Sequence, residues 1–308
     1  MKNINRTLMA ATALLGGCLM NGAQAQLFVA NNGSQYGDNI GEYTTAGATV
    51  NASLVSGLIN PAGLALSGGD IFVANGLGNT IGEYTTAGVT VNASLVTGLS
   101  APGGLAVSGG DIFVVNYGSG TIGEYTTAGA PVNASLVSGL NGPKFLVVSG
   151  GDIFVANAGS GTIGEYTTAG VPVNASLVSG LSAPNGLAVF GGDIFVVNNG
   201  SGTIGEYTTA GVPVNASLVS GLNDPYGLAV SGGDIFVANT YPGEISEYTT
   251  TGAPVNTSLI TGLDYPWGVA VETVPEPSTY ALLAGGWSGC LLWRARMNLR
   301  PKLIKLLL

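Results

Sequence analysis

Apolar positions along this chain fall into short runs that recur on a fixed spacing rather than into long amphipathic stretches. The unit from Asp70 to Gly110, DIFVANGLGNTIGEYTTAGVTVNASLVTGLSAPGGLAVSGG, spans 41 residues and returns almost unchanged. Its glutamate falls at Glu42, Glu83, Glu124, Glu165, Glu206 and Glu247, and its proline at Pro61, Pro102, Pro143, Pro184, Pro225 and Pro266. Each unit reads as four strands. GLAVS and DIFVAN are β-branched-rich runs joined by a Gly-Gly-Asp turn, which needs residues tolerant of positive φ. NTIGEYTT is the third run and VNASLVTG the fourth, closed by a loop ending at Pro102. No run is long enough, or periodic enough at 3.6, to form a helix. Four strands per 41-residue repeat predict a propeller blade, whose faces are buried only by its neighbours.

The ends of the repeat region predict how the array finishes. Leu27–Asn31 matches a second strand with no first strand before it, and Gly268–Val271 matches a first strand with no second strand after it. Pairing them completes one blade and leaves no bare sheet edge. The expected fold is therefore all-β: a six-bladed β-propeller of four-stranded blades over residues 26–272, closed by its own two ends.

The order Pro-x-Gly-Leu-Ala-Val, Gly-Gly-Asp-Ile-Phe-Val-Ala-Asn, Thr-Ile-Gly-Glu-Tyr resembles the NHL-type propeller repeat, and the resemblance covers every blade. It differs in Asn75, Asn116, Asn157, Asn198 and Asn239, where that family usually has Asp, and in lacking the basic residue before the third-strand Ile. What the resemblance implies is the fold rather than an activity.

Both flanks read as targeting segments. Lys2 and Arg6 precede an apolar run from Leu8 to Met20 and a small-x-small site at Ala23-Gln24-Ala25, the pattern of an export signal over residues 1–25. Leu15-Gly16-Gly17-Cys18 also resembles a lipoprotein signal, a second reading in which Cys18 is lipidated. After Thr273 come Val274-Pro275-Glu276-Pro277, an apolar stretch from Tyr280 to Trp293, and the basic pair Arg294 and Arg296. Residues 273–296 resemble the PEP-CTERM sorting signal of Gram-negative bacteria. The resemblance implies transient inner-membrane anchoring through a short transmembrane segment, an exosortase-type sorting enzyme as partner, and release to the cell surface or extracellular matrix. Residues 297–308 form an atypical tail beyond that signal.

Charge and composition narrow the chemistry. The whole chain carries −9, but Lys144 is the only basic residue between 26 and 272, against sixteen acids, which gives the ring −15. Such a surface repels nucleic acid, so no nucleic-acid role is expected. The chain has no histidine, and both cysteines lie outside the ring. That removes the commonest general base, thiol nucleophiles and the usual zinc ligands, and with them the NHL-like lyases that use histidine-bound zinc. No cofactor is expected; calcium is the one ion the carboxylates could take.

Among the carboxylates, Asp70, Asp111, Asp152, Asp193 and Asp234 recur once per blade and are read as turn residues that bond nearby backbone N–H groups. The repeated strand-end Asn is read as satisfying backbone at the blade rim, and the Asn-x-Ser/Thr sites at Asn51, Asn92, Asn133, Asn174, Asn215 and Asn256 as turn chemistry entering the outer strand. The positions where the copies differ concentrate in two loops on one face. They bring Tyr117, Lys144, Tyr226, Tyr241 and Trp267, with Asp224 and Asp264, around one mouth of the channel as a candidate ligand site. Aromatic faces beside carboxylates suit sugar rings and peptides; unconstrained drift of loops would give the same pattern. The expected function is an exported, non-enzymatic binding or scaffold module of an extracellular polysaccharide or biofilm matrix. The alternatives are a lyase or glycoside hydrolase, for which Asp224 and Asp264 are the candidate acids with Asp38 and Glu244 further out and no catalytic residue is assigned, and a calcium-dependent adhesin.

Overall fold

The computed structural model describes residues 25–33 and 38–272; the segments read above as an export signal and a sorting tail lie outside the described residues. Among the described residues twenty-four strands, β1 (Gln26–Asn31) to β24 (Pro266–Glu272), form six antiparallel sheets of four. Blade 2 has the standard order: β4 (Pro61–Ser67), β5 (Asp70–Asn75), β6 (Thr80–Thr85) and β7 (Thr90–Val96). Blade 1 is assembled from both ends, as β24, β1, β2 (Asn39–Thr44) and β3 (Thr49–Ser56). In it Gln26 pairs with Glu272 and Val29 with Val269.

The inner strands are β4, β8 (Pro102–Ser108), β12 (Pro143–Ser149), β16 (Pro184–Phe190), β20 (Pro225–Ser231) and β24. Each touches the inner strand of the blade on either side, and β24 touches both β20 and β4, so the ring is closed. The molecule is a six-bladed β-propeller.

Burial follows the blade from inside to outside. The second strand, DIFVAN or DIFVVN, is buried on both faces, which is why it is a continuous apolar run rather than an alternating one. Its two faces feed two cores. Phe72 and Ala74 pack with Leu105, Ile112 and Val114 of blade 3, while Ile71 and Val73 pack with Phe28, Ala30 and Ile40 of blade 1. Six such clusters fill the six blade interfaces, and the closing one sets Leu27, Val29 and Val269 against Phe236, Ala238 and Ile245. Burying an Ile or Phe side chain contributes about 1.5–3 kcal/mol, so stability resides between blades rather than within them. The outer strands are exposed over most of their length.

Two local readings change. The inner hairpin pairs Ser67 with Asp70 across Gly68 and Gly69, whose φ values are 64° and 89°. Two consecutive residues at positive φ make this tight turn without help from a side chain. Among the described residues the expected aspartate caps on backbone N–H groups are not found; Asp70 instead acts on the charge of Glu83. Likewise the strand-end Asn reaches mostly to the third strand: Asn75 Nδ2 donates to Thr80 Oγ1 at 3.3 Å and Asn239 Nδ2 to Ser246 Oγ at 2.7 Å. Asn116 alone keeps a backbone bond to this group, its Oδ1 accepting from Ser100 N–H at 3.2 Å. The Asn-x-Ser reading holds: Asn92 Oδ1 accepts from Ser94 N–H at 3.1 Å beside a register shift at Glu83, and all six outer strands repeat this bond.

Candidate functional site

The inner strands begin at the mouth of the axis. After each repeat proline comes one residue, so Ala62, Gly103, Lys144, Asn185, Tyr226 and Trp267 form a ring there. The next position is Gly in five blades, and at each of these five the neighbouring inner strand approaches too closely for a side chain. A Cβ at Gly63 would lie 2.6 Å from Gly103 O, and one at Gly227 would lie 2.2 Å from Trp267 O. In blade 4 this position is Phe145.

Small residues on one side of the ring and large ones on the other leave a recess of about 180 Å³. One wall is aromatic. Tyr226 stacks on Trp267 with ring centroids 4.7 Å apart and an 11° interplanar angle, and Phe145 meets Tyr226 edge-on at 6.1 Å. Offset and edge contacts of this kind are the favoured aromatic geometries. Lys144 and Tyr117 continue the wall, with Nζ 4.0 Å from the Tyr117 ring centroid. The opposite side is low and small, made by Ala62, Ala101, Gly103 and Gly76 with Asn60 and Leu77.

Electrostatics set the recess apart from the rest of the ring. Burial pushes the Lys144 ammonium below the usual lysine range, and among the described residues no carboxylate acts on it to offset that. Burial pushes the Tyr226 phenol up to about 12, with Asp224 and then Tyr117 adding to the shift, so Tyr226 keeps its proton at any physiological pH. Asn185 lies between the strands that carry Lys144 and Tyr226; it is buried, and its Oδ1 has no hydrogen-bond partner.

The structure therefore brings together Tyr117, Lys144, Tyr226 and Trp267 of the seven candidate residues. Asp224 sits behind this wall, held by Asn199 Nδ2 at 2.6 Å. Tyr241 lies apart, its hydroxyl donating to that of Tyr265 at 2.9 Å with the rings edge-on at 5.2 Å. Asp264 lines a different recess with Asn31, Asn39 and Tyr43. Lys144, Tyr226 and Trp267 start inner strands and converge with the loop residue Tyr117, whereas Tyr241 and Asp264 do not join them. Phe145 was missed, although its signal is in the sequence: it replaces a glycine that the other five copies keep. Asn185 was named only as a variable position, and its unpaired oxygen is visible only in three dimensions.

The repeated glutamates behave differently from the mouth. In blades 2 to 6, burial and then the neighbouring turn aspartate push the third-strand glutamate above its ordinary 4.5; in blade 1, Glu272 takes the place of that aspartate beside Glu42. A carboxyl with a raised folded-state pKa binds its proton more tightly in the ring than in the unfolded chain. Its contribution is present below the unfolded value and lost as pH rises through the folded one. Self-repulsion at −15 acts in the same direction. The melting temperature of the ring is expected to rise as pH falls from 7.5 toward 5. A melting temperature that declines steadily over that range would remove these glutamates as a source of strain.

No family model matches the chain, and no curated protein does. Several solved structures resemble it. A chain of a nidogen/laminin complex is 16% identical, with a TM-score of 0.68 over 81% of this chain and 98% of that one. A catalytically inactive virginiamycin B lyase from Staphylococcus aureus, crystallised with quinupristin, is 19% identical, with a TM-score of 0.60 over 82% and 94%. A gluconolactonase from Xanthomonas campestris is 17% identical, with a TM-score of 0.57 over 66% and 77%. Likeness at this identity shows the fold alone, and that fold serves binding proteins and enzymes alike.

Proposed function

We propose that this chain is an exported, non-enzymatic binding module that holds a glycan or another component of an extracellular matrix at its axial recess. The observation that carries this reading is that the recess is built from positions where otherwise near-identical blades differ. Tyr117, Lys144, Phe145, Tyr226 and Trp267 each occur once, and they meet in one place. Residues 1–25 supply the export signal in this reading. Val274, Pro275, Glu276 and Pro277, with Arg294 and Arg296, supply the sorting motif for an exosortase-type enzyme in a Gram-negative envelope.

The rival reading, a carboxylate-dependent lyase or glycoside hydrolase, needs two acids facing one substrate. Asp224 is taken up by Asn199, and Asp264 lines a separate recess, which favours binding over hydrolysis. The calcium-adhesin reading has only the repeated carboxylate pairs behind it.

The test is a glycan-array screen of the ring, residues 26–272, with and without calcium, beside a Tyr226→Ala/Trp267→Ala double variant. Aromatic anchors of this kind dominate binding energy, so at least a tenfold loss is expected in the variant. Binding that survives the double substitution would place the site elsewhere, and binding that appears only with calcium would favour the adhesin.

A further inference from the structure

Resting on the reading that the axial recess is the binding site, we infer that it takes a single carboxylate carried on an otherwise neutral sugar, the hexuronate residue of a glycan chain. Lys144 is the only basic residue in a ring of net charge −15, and it stands at the axis rather than on the periphery. Its ammonium is half-buried against Tyr117, and among the described residues no carboxylate offsets its desolvation. A half-buried charge left without a counter-ion is unfavourable, and a ligand carboxylate supplies that counter-ion through a charge-assisted hydrogen bond.

The walls define the rest of the ligand. Trp267, Tyr226 and Phe145 offer apolar ring surface suited to the C–H face of a pyranose, and Asn60 on the opposite side is a polar side chain within reach of a hydroxyl group. At about 180 Å³ the recess admits one ring-sized residue, so it reads a chain end or a side branch rather than a run of polymer. The surrounding charge sets the number of carboxylates. Fifteen net negative charges repel a polyuronate, whereas one carboxylate seated on Lys144 lies within a Debye length, about 8 Å at physiological salt, of its only positive partner.

Trp267 is the only tryptophan between 26 and 272, so fluorescence of the ring reports on the recess directly. The ring is titrated with methyl glucuronide and methyl glucoside, which differ in the carboxylate alone, and with benzoate. The expected result is a saturable change with the glucuronide at least tenfold tighter than with the glucoside or benzoate. Lys144→Met should bring glucuronide and glucoside within twofold of each other, and Lys144→Arg should keep the preference. A role confined to packing against Tyr117 would move the melting temperature and leave the preference in place. The inference is overturned if the native ring binds the two sugars equally or binds neither, if benzoate matches the glucuronide, or if folded Lys144→Met keeps the tenfold preference. Should Lys144→Met fail to fold, Lys144→Gln is read by the same criteria. A neutral glycan hit that is lost in Tyr226→Ala/Trp267→Ala overturns the carboxylate while leaving the recess as the binding site.

Discussion

A ring ended at Tyr265, one strand short of Glu272, is expected to lose its cooperative thermal transition. The missing β24 is the inner strand of blade 1, and without it β1 has a bare edge where Val29 paired with Val269. Val269 leaves the core it shares with Leu27, Phe236 and Ala238, and Val271 no longer packs against it. Fully burying a large apolar side chain is worth about 1.5–3 kcal/mol, so Val269 contributes roughly that much and the partly buried Val271 less. Net stability for a folded domain is about 5–15 kcal/mol, so this loss together with that of the whole β1–β24 ladder removes a large share of it. The unpaired β1 edge is also a template for strand addition, and the shortened ring should elute as aggregates on size exclusion. A shortened ring that melts within a few degrees of the intact one would show that closure contributes little.

The second large effect comes from one methyl group. A Cβ at Gly268 would lie 2.3 Å from the carbonyl oxygen of Ala62, on the first inner strand of the next blade. Backbone cannot move aside as a flexible side chain can, and β4 is itself packed against β8. Gly268→Ala therefore has to open the ring of inner strands. Overpacking of a tight core costs about 1–3 kcal/mol, and this site belongs at the upper end of that range. For a domain of this size each kcal/mol lowers the melting temperature by about 2–4 °C, which gives a drop of roughly 6–12 °C. Gly57→Ala is the control: a Cβ there meets nothing within 4 Å, but φ is +76°. Its cost is the left-handed backbone alone, roughly 1–2 kcal/mol. Urea denaturation of both variants separates the two causes, and a Gly268→Ala loss no larger than that of Gly57→Ala would refute the steric account.

The fold could be read from the chain because each repeat states it again. A continuous apolar DIFVAN run means a strand buried on both faces, and an unmatched Leu27–Asn31 with an unmatched Gly268–Val271 means closure; both follow from pattern and strand pairing alone. The site was only partly legible. The position after the repeat proline correctly marks the mouth, since strand direction carries Lys144, Tyr226 and Trp267 to the same end. Loop residues carry no such constraint: Tyr117 reaches Lys144, but Tyr241 turns to Tyr265 and Asp264 lines another recess. The role given to the turn aspartates failed for a related reason. A side chain that recurs in a turn looks like the cause of the turn, yet two glycines at positive φ already suffice there.

Closure by the two ends also decides where the ring can be held in an experiment. Gln26 and Glu272 are paired partners at the far end of β24 from Pro266, about 20 Å from the mouth at 3.3 Å per residue. The chain thus enters and leaves the ring side by side, at the base of the axis. A probe or surface coupled at Gln26 or Glu272 would therefore sit at the end of the ring away from Trp267 and Lys144, and would leave the recess open.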